Sequence, residues 1–267
     1  MADLIARAAR DIVRSSYAVA LTGAGISTES GIADFRGPSG IWTKNPEAEA
    51  QAYRSYPEFT RDPKIWWQNL LTGKTHDPLG PLDHARPNAG HLALVELEKM
   101  GILKTTITQN IDALHEKAGC AHLLEFHGSR SKLRCLACNA RFRPEVFDFQ
   151  KLQKEDRLPP RCLECNEPLK SDVVFFGEPI PDDVAEESYA EALRCDLMLI
   201  AGTSAAVYPF ANLPRVARQR GAVKIIEVNA EPTPLTQEGI SDYLIQGKTG
   251  EVLPAIVDLV RELKIDR

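Results

Sequence analysis

Six short apolar runs, separated by segments with helical patterns, constrain the fold of this 267-residue chain more than any other feature. This alternation predicts an α/β fold, in which a doubly wound parallel β-sheet is covered by helices. Amphipathic helices are predicted for the N-terminal residues and for residues 250–264. The predicted strands are residues 17–21, 104–108, 123–126, 196–200, 224–228 and 243–245.

Two segments interrupt this alternation. Residues 37–87 are rich in aromatic residues and prolines, which predicts short helices joined by loops. Residues 128–171 contain four cysteines in two Cys-x-x-Cys pairs. We interpret both segments as insertions that together form a smaller domain, and assign residues 1–36, 88–127 and 172–267 to the main domain.

Charge and composition exclude some classes of protein. The net charge of −5 argues against a protein that coats nucleic acid, because phosphate binding needs a basic surface. Residues 128–170 carry ten Lys and Arg against six Asp and Glu, a net of +4. A role for this segment in docking nucleic acid or another protein therefore stays open. No apolar run is long enough for a membrane span, and the N-terminus lacks a signal-peptide core. The expected location is cytoplasmic, and no oligomeric state is predicted.

The paired cysteines predict a zinc site. Each Cys-x-x-Cys turn brings two thiolates to one ion, and two such turns complete a tetrahedral set. The 23 residues between the pairs can form a loop. Four thiolates leave no open coordination position, so the metal is expected to be structural. The predicted ligands are Cys135, Cys138, Cys162 and Cys165.

The first predicted strand is followed by Gly23 to Gly25, in a loop that resembles a dinucleotide-binding loop but has Thr28 in place of its third glycine. Small and polar residues follow four further predicted strands, where the carboxyl ends of parallel strands form a ligand crevice. His127 follows another strand and is the natural base near neutral pH. Among the other histidines, His91 could orient a loop, and His76, His84, His115 and His122 suggest no role. The other three strand-end groups are Gln109 to Asp112, Gly202 to Ser204, and Asn229.

Each group also has a simpler interpretation. Asn110 or Asp112 alone would most simply cap the following helix. Glycines and hydroxyl residues are common in α/β loops, so Gly202 to Ser204 alone is a weak signal. Four such strand ends in one chain favour a shared site.

The motifs and their order along the chain resemble those of the sirtuins, the NAD-dependent protein lysine deacylases, over nearly the full chain. The matching stretches are "GAGIS", "GIADFRG", "ARPNAGH", "TQNID", "FHG", the paired Cys-x-x-Cys, "VVFFGE", "GTSAAVYPFA" and "VNAE". The resemblance implies a Rossmann-like domain, and a smaller domain with a zinc ribbon and a helical module. NAD and an acyl-lysine peptide would bind in the cleft between them.

The resemblance also implies roles for individual residues. His127 would be the general base, with Asn110 and Asp112 as further catalytic residues. A peptide strand would add to Val174, Phe175, Gly177 and Glu178, with Val207 nearby. The implied NAD-binding residues are Gly23, Ala24, Gly25, Ser27, Thr28, Asp34, Phe35, Arg36, Trp42, Gln109, Asn110, Ile111, Asp112, His127, Gly202, Thr203, Ser204, Asn229 and Thr249.

The same resemblance bears on the acyl group. Sirtuins that prefer acidic acyl chains resemble one another in a Tyr-x-x-Arg pair, and the corresponding positions here hold Leu70 and Gly73. This difference implies neutral acyl groups, acetyl first, with longer apolar chains also open. Three alternatives stay open from the sequence: a mono-ADP-ribosyltransferase, a non-catalytic zinc-ribbon binding protein and a hydride-transferring dehydrogenase.

Overall fold

Nine strands in two sheets are present in the computed structural model, which describes residues 1–35, 37, 40–74, 82 and 84–265. The large sheet contains β1 Ala18–Thr22, β2 Leu103–Thr108, β3 Leu123–Glu125, β7 Leu197–Ala201, β8 Lys224–Asn229 and β9 Tyr243–Gln246. These six strands are all parallel and lie in the order β3-β2-β1-β7-β8-β9, the order of a doubly wound nucleotide-binding sheet. The antiparallel small sheet contains β4 Leu133–Cys135, β5 Arg141–Phe142 and β6 Leu169–Ser171.

All six predicted strands are confirmed, and each end lies within one residue of its predicted position. Asp196, predicted to begin a strand, lies just before β7 instead. Its carboxylate accepts hydrogen bonds from the backbone N–H groups of Ser16 and Tyr17, at 2.8 and 3.1 Å. Asp196 thus fixes the entry into two neighbouring strands.

The described helices are α1 Ala2–Arg14, α2 Ile41–Lys44, α3 Pro46–Arg61, α4 Pro63–Leu71, α5 Ala89–Lys99, α6 Leu114–Ala118, α7 Phe149–Lys154, α8 Asp182–Arg194, α9 Asn212–Gln219, α10 Pro234–Gln237 and α11 Thr249–Ile265. Five of them cover both faces of the large sheet. On one face, α1, α5 and α11 form an apolar core with β1, β7 and β8, through residues such as Ile12, Leu97 and Leu253. On the other face, α8 and α9 pack with residues such as Phe126 and Phe210.

The first inserted segment forms α2, α3 and α4, as its composition predicts, although α3 runs for 16 residues and includes Pro57. Asn45 and Asp62 cap α3 and α4 through their side chains, and a proline follows each cap. The indole N–H of Trp67 in α4 donates to the backbone carbonyl of Leu169 in β6, at 2.7 Å. The helical module and the small sheet therefore pack as one unit with a shared aromatic core. The exact domain limits stay a prediction.

Among the described helices, none has both the length and the apolar character needed to cross a bilayer.

Candidate functional site

A cleft of about 930 Å³ lies between the carboxyl edge of the large sheet and the smaller unit. Ser27 and Asp112 line a small recess beside it, together with Asn110. Gly23 lies beneath Gln109, and Arg36 is outside the described residues. The predicted residues that line the cleft are Ala24, Gly25, Thr28, Asp34, Phe35, Trp42, Gln109, Asn110, Ile111, His127, Val174, Phe175, Gly177, Glu178, Gly202, Thr203, Ser204, Val207, Asn229 and Thr249.

Two glycine loops form the floor of the cleft. The backbone N–H of Gly25 donates to the carbonyl of Gly202, at 2.8 Å. A Cβ on Gly25 would lie 2.7 Å from that carbonyl oxygen, and a Cβ on Gly202 would lie 2.2 Å from the nitrogen of Ile26. Gly202 also has a φ of +65°, a conformation that favours glycine. Both positions therefore require a residue without a side chain.

The missing third glycine has a structural explanation. Residues Ala24–Ser30 form a 3₁₀ helix instead of the α-helix that follows a dinucleotide-binding loop. The hydroxyl of Thr28 donates to the carbonyl of Gly25, at 2.9 Å, and so stabilises this tighter turn. A third glycine serves close packing between helix and strand, a need that this 3₁₀ segment does not have.

Asn110, Asp112 and Ser27 form a buried hydrogen-bonded group. The amide of Asn110 donates to the Ser27 hydroxyl and to the carbonyl of Gly23, both at 3.1 Å. The Ser27 hydroxyl donates to Asp112 Oδ2, at 2.7 Å. Asp112 Oδ1 accepts from the backbone N–H of Leu114, at 2.9 Å, at the start of α6. Both interpretations of Asp112 from the sequence therefore hold: it stabilises the start of α6, and it lies beside the cleft.

The imidazole of His127 is held in its neutral form. Its Nδ1 lies 3.2 Å from the carbonyl oxygen of Gln109, which can only accept a hydrogen bond, so Nδ1 carries the proton and Nε2 is the acceptor. The imidazole packs edge to face on Phe126, with Phe210 next to it. Burial lowers the pKa of His127 to about 4, although its hydrogen bond to Gln109 acts in the opposite direction. The ring is therefore neutral at physiological pH.

Thr203 joins two other strand ends. Its hydroxyl accepts from the Gln109 amide at 2.8 Å, and its carbonyl accepts from the Asn229 amide at 3.2 Å. Gln109 Oε1 and Thr249 Oγ1 are buried in the cleft wall, and neither has a hydrogen-bond partner among the described residues. Buried polar atoms of this kind are normally satisfied, and a bound dinucleotide with its ribose hydroxyls and amides would satisfy them. The residues present therefore fit NAD.

Two histidines beneath the cleft extend this polar group. His115, for which the sequence suggested no role, is only 2% exposed, and its Nε2 lies 2.9 Å from the Thr22 hydroxyl. The His91 ring lies 4.8 Å from the His115 ring, centroid to centroid, and accepts the backbone N–H of Asn88, which it thereby orients. Burial lowers the pKa of His91 to about 4, with Asp112 acting in the opposite direction. Burial, and to a smaller extent the charge of His91, lower the pKa of His115 well below its usual value. Only the polar neighbours of His115 are visible in the sequence, and they gave no sign of its burial.

The four predicted metal ligands converge. The Sγ atoms of Cys135, Cys138, Cys162 and Cys165 all lie within 4.8 Å of one another, and three pairs are separated by 3.4 to 3.6 Å. Tetrahedral zinc with Zn–S bonds of about 2.3 Å requires sulfur atoms about 3.8 Å apart. The cluster fits a structural zinc ion with four protein ligands.

Comparison with known proteins agrees with this geometry. The sequence model described as the Sir2 family matches residues 23–209. NAD-dependent protein deacylase 2 of Archaeoglobus fulgidus is 45% identical over 271 residues, which cover 100% of both chains. A solved complex of a Sir2 homologue with NAD is 40% identical, has a TM-score of 0.75, and covers 96% of this chain and 94% of that one. The structure of Sir2Af2 with a myristoylated histone peptide is 38% identical, with a TM-score of 0.67 and complete coverage of both chains.

Loss of a zinc ligand is expected to disorder the small sheet. Cys138→Ser should lose the metal, because it removes one of the four thiolate ligands. The sheet then loses the binding free energy of the zinc, about 10 kcal/mol or more for a structural site of this kind. Zinc content and tryptophan fluorescence measure the effect, since Trp66 and Trp67 pack against this sheet. Cys120→Ser, outside the cluster, serves as the control. A Cys138→Ser protein that retains one zinc per chain would contradict the assignment.

The buried histidines predict a loss of stability in mild acid. His91 and His115 are both neutral in the folded protein, whereas each binds a proton in the unfolded chain below about pH 6.5. The unfolded state then binds more protons, so the free energy of unfolding is greatest above that pH and falls as the pH drops toward 4.

Urea unfolding at about pH 7.5 and about pH 5 tests this expectation, with a slope of up to about 1.4 kcal/mol per pH unit for each histidine. His115→Gln should lose less stability between the two conditions than the parent protein does. His122→Gln, at an exposed position, should behave like the parent. Equal slopes for all three proteins would refute a role for His115.

Proposed function

The chain belongs to the Sir2 family and is an NAD-dependent protein deacylase, and we propose that it acts on protein lysines that carry neutral acyl groups. The observation that carries this function is the neutral imidazole of His127. It lies in one cleft with Asn110 and the glycine loops. The myristoylated histone peptide and the deacetylated p53 peptide in complexes of related Sir2 enzymes support a peptide substrate.

The chain's own residues supply binding, orientation and proton transfer. Gly25 and Gly202 leave room for the pyrophosphate, and Gln109, Thr203, Asn229 and Thr249 line the cofactor side of the cleft. NAD bound there supplies ADP-ribose as the acyl acceptor and nicotinamide as the leaving group. His127 accepts a proton at Nε2, because the carbonyl of Gln109 holds the proton on Nδ1. The four cysteines hold zinc away from this chemistry as a structural ion.

The shape of the cleft supports the preference for neutral acyl groups. Its wall beside the smaller unit contains the apolar side chains of Trp66, Trp67, Leu70 and Phe149. Lys132 also lines the cleft, but its ammonium lies 2.5 Å from Glu125, which neutralises the charge. Such a wall binds apolar chains through the hydrophobic effect and offers an acyl carboxylate little compensation for its lost hydration.

We also propose a cytoplasmic location. All six cysteines are unpaired thiols, and four of them form the zinc cluster, which is typical of a reducing compartment. Cell fractionation with an antibody against the native protein tests this: recovery in an oxidising compartment would contradict it.

Removal of the proposed base should abolish turnover. We expect His127→Ala to lower the rate of deacetylation by about 10²- to 10⁴-fold, the usual contribution of a general base. Nicotinamide release and loss of the acetyl group from a peptide are followed together. His122→Ala, an exposed control, should retain full activity. Unchanged rates in His127→Ala would remove His127 from its role, and transfer of label from NAD to protein without deacylation would favour a mono-ADP-ribosyltransferase.

A panel of acyl peptides tests the acyl preference. Acetyl, butyryl and myristoyl peptides are expected to exceed a succinyl peptide in kcat/KM by at least about tenfold, because an unpaired buried carboxylate costs several kcal/mol. Leu70→Arg should raise the activity toward succinyl relative to acetyl. Leu71→Arg, at the next and more exposed position of α4, is the matched control. Dominant succinyl activity in the parent protein would refute the preference.

A further inference from the structure

A completely buried lysine lies beside residues 173–177, which include the predicted peptide-binding residues Val174, Phe175 and Gly177. Lys170 in β6 is 0% exposed. Its ammonium group donates to the carbonyl oxygens of Ser171 and Val173, both at 2.6 Å, and lies 3.2 Å from Glu178 Oε2. It also lies 4.5 Å from the centroid of the Phe175 ring. An ammonium group has three N–H donors, so these three oxygens can satisfy all of them.

Glu178 joins this lysine to a second buried cation. Its carboxylate forms an ion pair with the guanidinium of Arg134, which belongs to β4 of the small sheet. Arg134 Nε lies 3.0 Å from Asp172 Oδ1, which Arg141 Nε also approaches at 3.3 Å, so each buried carboxylate pairs with two cations. The side chains of Arg134, Asp172 and Glu178 are each no more than 4% exposed. We call Arg134, Lys170, Asp172 and Glu178 the ionic cluster.

The ionic cluster orders residues 172–175, which belong to neither sheet. Strand β6 ends at Ser171, and residues 172–175 have no regular secondary structure. Glu178 Oε2 accepts the backbone N–H of Phe175, at 3.0 Å, while the carbonyl of Val173 accepts from Lys170. The backbone N–H of Val174 donates to the carbonyl of His127, at 2.8 Å. The cluster therefore holds the residues on both sides of Val174. The backbone of Val174 is in turn hydrogen-bonded to the backbone of His127, the proposed base.

We infer that Lys170, Arg134 and Glu178 are positioning residues that hold residues 173–177 in the shape that receives the acyl peptide. An added peptide strand needs a backbone edge that is already ordered, because otherwise binding must offset the entropy of ordering that edge. A buried cluster with fixed hydrogen-bond geometry provides this order before any peptide binds. Arg134 and Lys170 come from the small sheet, so this sheet acts on peptide binding through them. The inference rests on the proposed function.

Lys170→Met tests the inference, because it keeps much of the side-chain volume but removes all three polar contacts. The KM for an acetyl peptide should rise by about tenfold, as expected when hydrogen bonds to a buried charge are lost. The KM for NAD should stay within about twofold, because Lys170 lies on the peptide side of the cleft. Zinc content and thermal unfolding are measured in parallel. Lys154→Met, an exposed lysine in α7 of the same unit, is the matched control and should resemble the parent.

Glu178→Gln provides a second, isosteric variant. It should also raise the peptide KM, whereas Lys170→Arg, which keeps a charged donor, should recover part of the loss in Lys170→Met. Equal increases in the KM values for peptide and NAD would overturn the inference. Loss of zinc and secondary structure in both Lys170→Met and Glu178→Gln would also overturn it, since the cluster would then serve folding alone.

Anisotropy of a labelled acetyl-lysine peptide, measured without NAD, separates this inference from the proposed function. The Lys170→Met protein should bind the peptide about tenfold more weakly than the parent. If the parent bound peptide but released no nicotinamide with NAD, the proposed function would fail while the positioning role stood. Equal peptide affinity in the two proteins would overturn the positioning role and leave the function untouched.

Discussion

The close contact between the loops after β1 and β7 determines the shape of the whole cleft. Gly25 and Gly202 meet backbone to backbone, through a hydrogen bond of 2.8 Å with no room for a Cβ. Because β1 and β7 are adjacent parallel strands, their loops leave the sheet side by side and must share this space. The contact leaves a floor made of backbone, on which a pyrophosphate can lie closely. The 3₁₀ segment and the bond from Gln109 to Thr203 extend from that floor.

Above the floor, burial controls the chemistry more than nearby charge does. Burial keeps His127 neutral, while a carbonyl oxygen fixes its tautomer. Asn110 and Asp112 are held by Ser27 and by backbone groups, so their side chains are oriented before any ligand binds. This preorganisation is what a site needs to bind a cofactor in one pose and transfer a proton at one atom.

The sequence predicted those features that depend on local pattern. The strands were located to within one residue, because apolar runs of three to five residues between helical patterns are too short to form helices of their own. The cleft residues could be assigned because the carboxyl ends of parallel strands meet at one edge. The burial of His115 and the ion pairs of Lys170 and Glu178 could not be predicted, because they depend on segments that meet only in the folded chain. A lysine that is buried in the fold cannot be distinguished in the sequence from an exposed one.

The position of β1 at the centre of the large sheet has a consequence for the order of folding. This strand begins at residue 18, but its two neighbours begin at residues 103 and 197. During synthesis, β1 therefore waits until about three quarters of the chain has left the ribosome before both of its edges can pair. Contacts this distant in sequence close slowly, and an unpaired apolar strand is prone to aggregate. The small sheet, whose zinc ligands all lie between residues 135 and 165, can form before the large sheet is complete.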